Sequence, residues 1–464
     1  MVFSSLLFMF VYLPVVLAVY YIVPRRWRNL WLFIVNLVFY GWGEPVYILL
    51  MLFSICLNYA AGILIARCRA EAKKAKRILR WCIVVNLCML AFFKYYDLFA
   101  ETLSRIPGIC IPALGLALPI GISFYTFQTM SYPIDVYRGD ADVQRSFISF
   151  GTFVALFPQL IAGPIVRYKD IAEQLQNRDY SAERFASGAR RFAVGLGKKV
   201  LLANNIGILW DVYASKASGE LTVVGAWLGI LAFTMQIYFD FSGYSDMAIG
   251  LGRMLGFEFL ENFNYPYISK SVTEFWRRWH ISLGSWFRDY VYIPLGGNRC
   301  SKYRQLFNLL IVWALTGFWH GANWTFLCWG IYYWIFLILE KTFLLDHLKR
   351  IPVLATVYAL LVAICGWVLF DLPTLGAAFR YYGAMFGFGG AGFCSAADLH
   401  YLKSNAVLLI AGVIACLPLG KSIYWRLSEK TRAWLSPALI LAVLVLATAY
   451  LVDASYNPFL YFRF

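Results

Sequence analysis

The sequence predicts a polytopic membrane protein built from α-helices, and its composition is the first of three observations that predict this fold class. The chain has 464 residues, of which 61% are hydrophobic and only 14% are charged. Soluble proteins average about 45–50% apolar and about 25% charged residues. The composition therefore excludes an ordinary soluble enzyme, and the abundance of aromatic and branched side chains excludes a disordered chain.

A series of apolar runs is the second observation. Roughly 20 helical residues cross a bilayer, and the first run, residues 3–21, has this length and indicates an uncleaved helix rather than a signal peptide. Further runs cover residues 30–42, 47–66, 78–93, 114–136, 147–166, 192–212, 223–238, 306–318, 324–339, 353–370, 406–417 and 433–450. We expect about 11 to 13 transmembrane helices in a single membrane-embedded domain.

The distribution of charge is the third observation, and it predicts an orientation. The net charge is +16, and basic residues follow the first apolar run at Arg25 and the third run from Arg67 to Arg80. Because basic residues concentrate in the cytoplasmic loops of membrane proteins, we expect the N-terminus outside and no nucleic-acid partner. The ten cysteines contain no Cys-x-x-Cys pair, so we expect no metal site.

Residues 115–340 differ from their flanks because glycine and proline interrupt the apolar runs. Breaks occur from Gly115 to Gly121 and from Pro158 to Pro164. Broken helices at membrane depth occur where they are buried in protein or line a water-filled cavity. We therefore expect a catalytic core with re-entrant pieces at 115–340, N-terminal helices at 1–114 and C-terminal helices at 341–464.

His320 lies where a polar side chain is unusual, at the junction of two apolar runs and between Gly317 and Gly321. Burial without a charged partner lowers the pKa of a histidine, so a neutral ring could accept a hydroxyl proton as a general base. The glycines would let a substrate or another backbone come close. A buried structural histidine explains the pattern equally well. His347 and His400 lie in polar connections and are interpreted as surface residues.

His280 lies in a stretch that mixes basic and aromatic residues. Arg277, Arg278 and Arg288 alternate there with tryptophan, phenylalanine and tyrosine, a pattern typical of an amphipathic helix in the membrane interface. Such a helix accounts for the position of the stretch but not for its histidine.

A third polar cluster, formed by Asp240, Ser242 and Asp246, directly follows an apolar run. Polar residues within a membrane are costly and often functional, so the cluster indicates a cavity, although a solvated loop would also explain it. The chain contains no phosphate-binding loop, zinc-protease motif or nucleophile elbow.

Several stretches resemble the membrane-bound O-acyltransferase (MBOAT) family. They are EFWRRWHISLGSWFRDYVYIPLGGNR at 274–299, GFWHGANWTFLCWG at 317–330, QIYFDFSGYSDMAIGLGRMLGF at 236–257, NFNYPY at 262–267 and FPQLIAGPIVRY at 157–168. The resemblance is strongest to the branch of the alginate O-acetyltransferase membrane subunit. It implies re-entrant segments around a central tunnel, with His320 as the catalytic histidine and His280 as the second functional histidine.

The chemistry of acyl transfer suggests roles for further residues. Attack of a hydroxyl on a thioester needs a base, which His320 can supply, and an oxyanion stabiliser, which Asn323 or backbone N–H groups near Gly321 can supply. Since coenzyme A carries phosphates, we expect arginines at a cytoplasmic mouth. The candidates are Arg277, Arg278 and Arg288, then Arg299, Lys302 and Arg304, with Lys198 and Lys199 less favoured. Trp319, Asp240, Ser242 and Asp246 complete the expected substrate contacts.

The resemblance also implies location, donor and partners. We expect a bacterial cytoplasmic membrane protein with no permanently bound cofactor, which uses acetyl-CoA or another acyl thioester. Its partners would be an extracytoplasmic serine-hydrolase-like acetyltransferase, the polysaccharide biosynthesis and export machinery, and membrane lipid. The alternatives are D-alanyl transfer to teichoic acid, a haem or quinone protein with His280 and His320 as ligands, and a polysaccharide exporter.

Overall fold

The computed structural model describes residues 1–161, 163–216, 219–389, 391–453 and 459–460. Within these ranges the chain forms α-helices joined by turns and loops, without a β-strand. The helices are α1 Leu13–Ile22, α2 Arg28–Gly43, α3 Ile48–Arg67, α4 Ala72–Ser104, α5 Ile122–Arg138, α6 Phe147–Ala155, α7 Phe157–Leu160, α8 Tyr168–Ile171, α9 Ala182–Gly197, α10 Asn204–Ala214, α11 Val223–Met254, α12 Val272–Arg278, α13 Ile281–Phe287, α14 Lys302–His320, α15 Trp324–Leu339, α16 Leu345–Leu348, α17 Pro352–Asp371, α18 Leu375–Met385, α19 Ala396–Ser404, α20 Ala406–Ala415, α21 Leu419–Arg426 and α22 Glu429–Asp453.

Several of these helices can cross a membrane, which confirms the predicted all-α polytopic fold. In the described part of the chain, seven segments are long and apolar enough, or up to eight if α20 and α21 form one bent span. The seven are Ile48–Arg67, Ala72–Ser104, Ala182–Ala214, Val223–Met254, Trp324–Leu348, Pro352–Asp371 and Glu429–Asp453. The expected count of about 11 to 13 also included shorter apolar helices, such as α2 with 16 residues and α5 with 17.

Contacts divide the chain into two compact units. Unit 1 comprises Met1–Phe192 and Ser245–Leu260, and unit 2 comprises Ala193–Tyr244 and Glu261–Phe464. These borders follow spatial contacts, whereas the blocks 1–114, 115–340 and 341–464 follow interruptions in the sequence. The single-domain organisation with these three blocks stays a prediction.

A buried pair of asparagines links two helices of unit 1. Asn58 of α3 and Asn86 of α4 are both 0% exposed. Their side chains exchange hydrogen bonds of 3.0 and 3.2 Å, and each Nδ2 also donates to a carbonyl oxygen of its own helix, at 2.8 Å. Because an unpaired amide is costly in apolar surroundings, this closed pair stabilises the packing of α3 on α4.

Two glycines allow α14 and α15 of unit 2 to pack closely. A Cβ atom at Gly317 would overlap the carbonyl oxygen of Phe326, and one at Gly330 would overlap that of Trp313. Small residues permit this backbone approach between membrane helices. At Gly317 the close neighbour is therefore the backbone of α15, and the contact fixes the end of α14, where His320 lies.

Candidate active site

The helical path breaks at His280, between α12 and α13. The backbone of His280 has φ 45° and ψ 52°, a left-handed conformation that is costly for residues other than glycine and is often found at functional sites. The stretch that we interpreted as an amphipathic helix is therefore divided into two helices of seven residues each. The break leaves the His280 side chain buried, with the residue 2% exposed.

Asn262 holds the imidazole of His280 in position. The Oδ1 atom of Asn262 accepts hydrogen bonds from the backbone N–H of Ser282 at 3.2 Å and from its hydroxyl at 2.9 Å. The same oxygen lies 3.2 Å from Nδ1 of His280. Since an amide oxygen can only accept, this network assigns the ring proton to Nδ1.

The other ring nitrogen of His280, Nε2, is therefore the one with a lone pair. It is buried and has no hydrogen-bond partner among the residues that the structure describes. Burial lowers the pKa of His280 to about 3, so the ring is neutral at pH 7. A neutral ring with an open Nε2 can accept a hydrogen bond from a bound ligand.

His320 ends α14 and is enclosed by aromatic rings. It is 5% exposed, and its ring centroid lies 5.1 Å from those of Trp319 and Trp329 and 5.2 Å from that of Phe370. The centroid of the His280 ring is 6.5 Å away. The structure thus brings together the two histidines that the sequence analysis selected.

A small cavity, which we call the His320 chamber, adjoins this histidine. Its volume is about 20 Å³, and a cavity needs about 10–15 Å³ to hold one water molecule. The chamber therefore has room for only one or two small groups. Its lining residues are Ile237, Asp240, Phe241, Trp279, His320, Trp329, Trp367, Phe370, Phe459 and Leu460.

A larger cavity of about 570 Å³, the His280 cavity, is bounded mainly by α12, α13 and α14. Its lining extends from the exposed residues Arg277 and Arg288 to the buried His280. Trp279 lines both cavities. An elongated ligand in the larger cavity could therefore contact cationic groups and His280 at the same time.

The predicted cationic residues divide into two groups. Arg277 and Arg288 line the His280 cavity, whereas Arg278 does not. Arg278 instead pairs with Glu274 at 2.8 Å and donates to the backbone oxygen of Asn264 at 3.0 Å. A carboxylate partner weakens the case for phosphate binding by Arg278. The same holds for Arg288, which lines the cavity but pairs with Asp289 at 2.7 Å.

The predicted cluster of Asp240, Ser242 and Asp246 is not a cluster in the structure. All three lie within the continuous helix α11, where 3.6 residues complete one turn and residues six apart point in different directions. Asp240 lines the His320 chamber and forms a buried ion pair with Lys199. Asp246 belongs to unit 1, where it accepts a hydrogen bond from Arg191 at 2.7 Å. Ser242 lines neither cavity.

Two further predicted residues lie next to His320 in sequence but differ in position. The ring of Trp319 contacts both histidine rings, at 5.8 Å from His280 and 5.1 Å from His320. Asn323 caps α15, because its Oδ1 accepts from the N–H of Thr325 at 3.1 Å and its Nδ2 donates to the oxygen of Pro373 at 2.8 Å. Both ends of the Asn323 amide are thus engaged outside the two cavities.

Asn262 and Glu340 are two functional residues that the sequence did not predict. Glu340 is 1% exposed, and its carboxylate accepts from the N–H of Thr273 at 2.9 Å and from its hydroxyl at 2.6 Å. It thereby fixes the start of α12, the helix that carries Arg277. Asn262 lies 18 residues from His280 along the chain, and Glu340 lies 67 residues from Thr273. No local sequence pattern could therefore have revealed either contact.

Comparisons with known proteins agree with this arrangement. The membrane-bound O-acyltransferase family matches residues 139–370. The chain is 45% identical to a probable alginate O-acetylase of Azotobacter vinelandii, over 89% of this chain and 84% of that protein. It is 30% identical to a peptidoglycan O-acetyltransferase of Helicobacter pylori, over 100% and 98% of the two chains. A teichoic acid D-alanyltransferase of Streptococcus thermophilus is 30% identical over 48% of this chain and 57% of its own.

The family match includes both histidines, the helices that carry them and most residues that line the two cavities. It favours acyl transfer over the redox and export alternatives. The chain therefore belongs to the membrane-bound O-acyltransferase family, and it is a multi-pass membrane enzyme that transfers acyl groups.

Proposed function

We propose that this enzyme moves an acetyl group from a cytoplasmic thioester, acetyl-CoA, to an acceptor on the opposite side of the membrane. The transfer would serve O-acetylation of a cell-surface or exported polysaccharide. The observation that carries the proposal is the pair of buried histidines, one lining the large His280 cavity and the other lining the small His320 chamber.

The shape and charge of the His280 cavity support a thioester of coenzyme A as the donor. A volume of about 570 Å³ accommodates an extended arm. Arg277 provides a cation at the exposed part of the lining, where Arg288 is paired with Asp289, and arginine pairs strongly with phosphate oxygens. The open Nε2 of His280 offers a hydrogen-bond acceptor at the buried part.

The chemistry of transfer assigns His320 the role of general base. The imidazole takes the proton of the attacking hydroxyl as its oxygen bonds to the thioester carbonyl carbon. The carbon–sulfur bond then breaks, and the thiolate receives the proton and leaves. The rings packed around His320 are aromatic, and such apolar surroundings would limit the access of water to the bound thioester.

The lining of the His320 chamber favours acetyl over the D-alanyl group of the teichoic acid enzymes. Asp240 supplies the carboxylate among the described lining residues, and both of its oxygens are engaged. One pairs with Lys199, and the other accepts the N–H of Leu460 at 2.8 Å. An alanyl ammonium would be buried there without a free carboxylate, which is costly.

The names of the relatives support a polymer acceptor. One relative is a probable alginate O-acetylase and another a peptidoglycan O-acetyltransferase. We infer that a serine-hydrolase-like acetyltransferase outside the cytoplasmic membrane takes over the acetyl group, and that the polysaccharide biosynthesis and export machinery supplies its acceptor. We also infer, from their basic residues, that the loops after α1 and α3 lie in the cytoplasm and that the N-terminus lies outside.

Replacement of His320 tests the proposal. Membranes from a strain that produces the chain and its polymer would be incubated with [¹⁴C]acetyl-CoA, and label in the polysaccharide fraction would be counted. We expect His320→Ala to lower the rate by about 10²–10⁴-fold, as loss of a general base does. His347→Ala is the matched control, because His347 is exposed. A folded His320→Ala enzyme with a near-normal rate would refute the role of His320.

A further inference from the structure

We propose that the indole N–H of Trp329 stabilises the oxyanion that forms on the thioester carbonyl during transfer. The inference rests on the proposed function of His320 and identifies a further catalytic residue for that reaction. Its starting point is a buried hydrogen-bond donor that the fold itself leaves unused.

Trp329 is fully buried, at 0% exposure. Its Nε1 atom has no hydrogen-bond partner among the residues that the structure describes. Buried polar groups in folded proteins are nearly always paired, and an unpaired one costs free energy. An unused donor at a cavity is therefore a site for a ligand acceptor atom.

Other tryptophans of unit 2 show the contrast. Trp334, also on α15, donates its indole N–H to the carbonyl oxygen of Leu306 at 3.0 Å. Trp210 donates to a carboxylate oxygen of Asp371 at 2.8 Å. Trp367, which also lines the His320 chamber, likewise has a buried Nε1 without a partner among the described residues, and its ring packs on those of Trp279 and Phe370 at 4.8 and 5.6 Å. Trp329 combines an unused N–H and a place in the chamber lining with a direct ring contact to His320, and this contact selects it over Trp367.

The position of Trp329 relative to His320 suits this role. Their ring centroids are 5.1 Å apart and their planes are inclined by 79°, and both side chains line the same chamber. Rings of Trp276 and Tyr333 pack on Trp329 at 5.4 and 5.1 Å. Gly330, the next residue, lies against the backbone of Trp313. The indole is therefore held in one place before any substrate arrives, as electrostatic stabilisation requires.

The chemistry of the step defines what the indole does. The acceptor oxygen bonds to the carbonyl carbon, its proton passes to His320, and the carbonyl π electrons move onto oxygen. The N–H of Trp329 donates a hydrogen bond to this negatively charged oxygen. When the carbonyl re-forms, the carbon–sulfur bond breaks and the proton on His320 passes to the departing thiolate. The indole keeps its own proton throughout, so it lowers the barrier without being consumed.

Two substitutions of Trp329 in the full chain test the assignment in the membrane assay. Trp329→Phe removes the N–H and part of the ring. Replacement of Trp329 by 3-benzothienylalanine keeps the bicyclic shape and removes the N–H alone. We expect both to lower kcat by about 10²-fold, the loss typical for one oxyanion donor. The KM for acetyl-CoA should change by less than about twofold, because the interaction forms only in the transition state.

Trp334→Phe is the matched control, since it removes an indole N–H from the same helix, outside the two cavities. It should keep kcat within about twofold of the wild-type value, and thermal melting in detergent would show that all variants are folded. A benzothienyl variant with wild-type kcat would overturn the inference, since packing alone would then explain any loss in Trp329→Phe. A wild-type enzyme that transfers no acetyl from acetyl-CoA would instead overturn the proposed function and, with it, this inference.

Discussion

Two buried polar clusters, one in each unit, differ in whether their hydrogen bonds close on themselves. In unit 1, each amide of Asn58 and Asn86 both donates and accepts within the pair. In unit 2, Asn262 uses one oxygen to hold Ser282 and the Nδ1 side of His280, while Nε2 of His280 stays open. The first cluster is complete without a ligand, whereas the second offers a ligand an acceptor.

The backbones of the two clusters differ in the same way. Asn58 and Asn86 lie inside the regular helices α3 and α4, so their side chains add interhelical hydrogen bonds to an already favourable conformation. His280 has a left-handed backbone at a break between two short helices. Strain of this kind persists only where surrounding contacts enforce it. An open donor or acceptor on strained backbone is therefore a better indicator of a site than a buried polar residue alone.

Among variants of the two clusters, replacement of the His280 imidazole should lower the rate of acetyl transfer most. We expect His280→Asn to lower the rate of acetyl transfer by about 10²-fold while keeping the enzyme folded, because asparagine tolerates the left-handed conformation. The rate would come from the [¹⁴C]acetyl assay and the folded fraction from thermal melting in detergent. His400→Asn, at an exposed position, is the control. Full activity of folded His280→Asn would show that the cluster around His280 has only a structural role, like the pair of Asn58 and Asn86.

A smaller loss of activity should follow when Asn262, which positions the imidazole of His280, is replaced. Asn262→Ala takes away the oxygen that engages Nδ1 of His280 and the hydroxyl of Ser282, so we expect a rate lower by about tenfold. Asn262→Asp keeps an acceptor and adds negative charge, which raises the pKa of a neighbouring histidine. Its activity should therefore fall at a higher pH than that of the wild type as the solution is acidified. Identical pH profiles for Asn262→Asp and the wild type would contradict this positioning role.

The adjacent residues Arg277 and Arg278 allow an arginine that lines the cavity to be compared with one that is paired to a carboxylate. Arg277 lines the His280 cavity, whereas Arg278 is paired with Glu274. We expect Arg277→Glu to raise the KM for acetyl-CoA by about fivefold at low salt, with the effect shrinking as salt increases. Arg278→Glu should change KM less. Initial rates over a range of acetyl-CoA and salt concentrations would decide, and equal effects of the two reversals would mean that the donor enters elsewhere.

The smallest effect on catalysis should come from the closed cluster. Asn58→Leu leaves the amide of Asn86 without its partner, which should destabilise the protein by about 1 kcal/mol. The double variant Asn58→Leu/Asn86→Leu should recover part of that loss, since no polar group is then stranded. Thermal melting measures both, and acetyl transfer by the folded fraction should stay near the wild-type rate. A large loss of kcat here would show that the closed pair also serves the reaction.

The sequence predicted what depends on composition and on the chemistry of single residues. Apolar runs predicted membrane helices, the setting of His320 made it a candidate base, and the resemblance to the O-acyltransferase family added His280. Asn262 was not predicted because its contacts with His280 and Ser282 form only in the folded protein. Sequence proximity alone suggested a shared site for Asp240 and Asp246, but the helical turn separates them.

The arginines show the same limit on a finer scale. Arg277 and Arg278 are adjacent and chemically identical, so no property of the sequence distinguishes them. The difference arises because Glu274 lies one helical turn before Arg278 and neutralises it. Helix α12 had to be known as a helix, with its boundaries, before that pairing could be assigned.

The small volume of the His320 chamber has a consequence for the hydrolysis of a bound thioester. A thioester is an activated compound, and an enzyme that binds one can lose it to hydrolysis. With about 20 Å³ available, an acetyl methyl group bound in the chamber as we propose would occupy most of the space that a water molecule needs. On the proposed function, the same walls would exclude a longer acyl chain. On the proposed function, the volume of this chamber would therefore limit both the length of the transferred acyl group and the hydrolysis of its thioester.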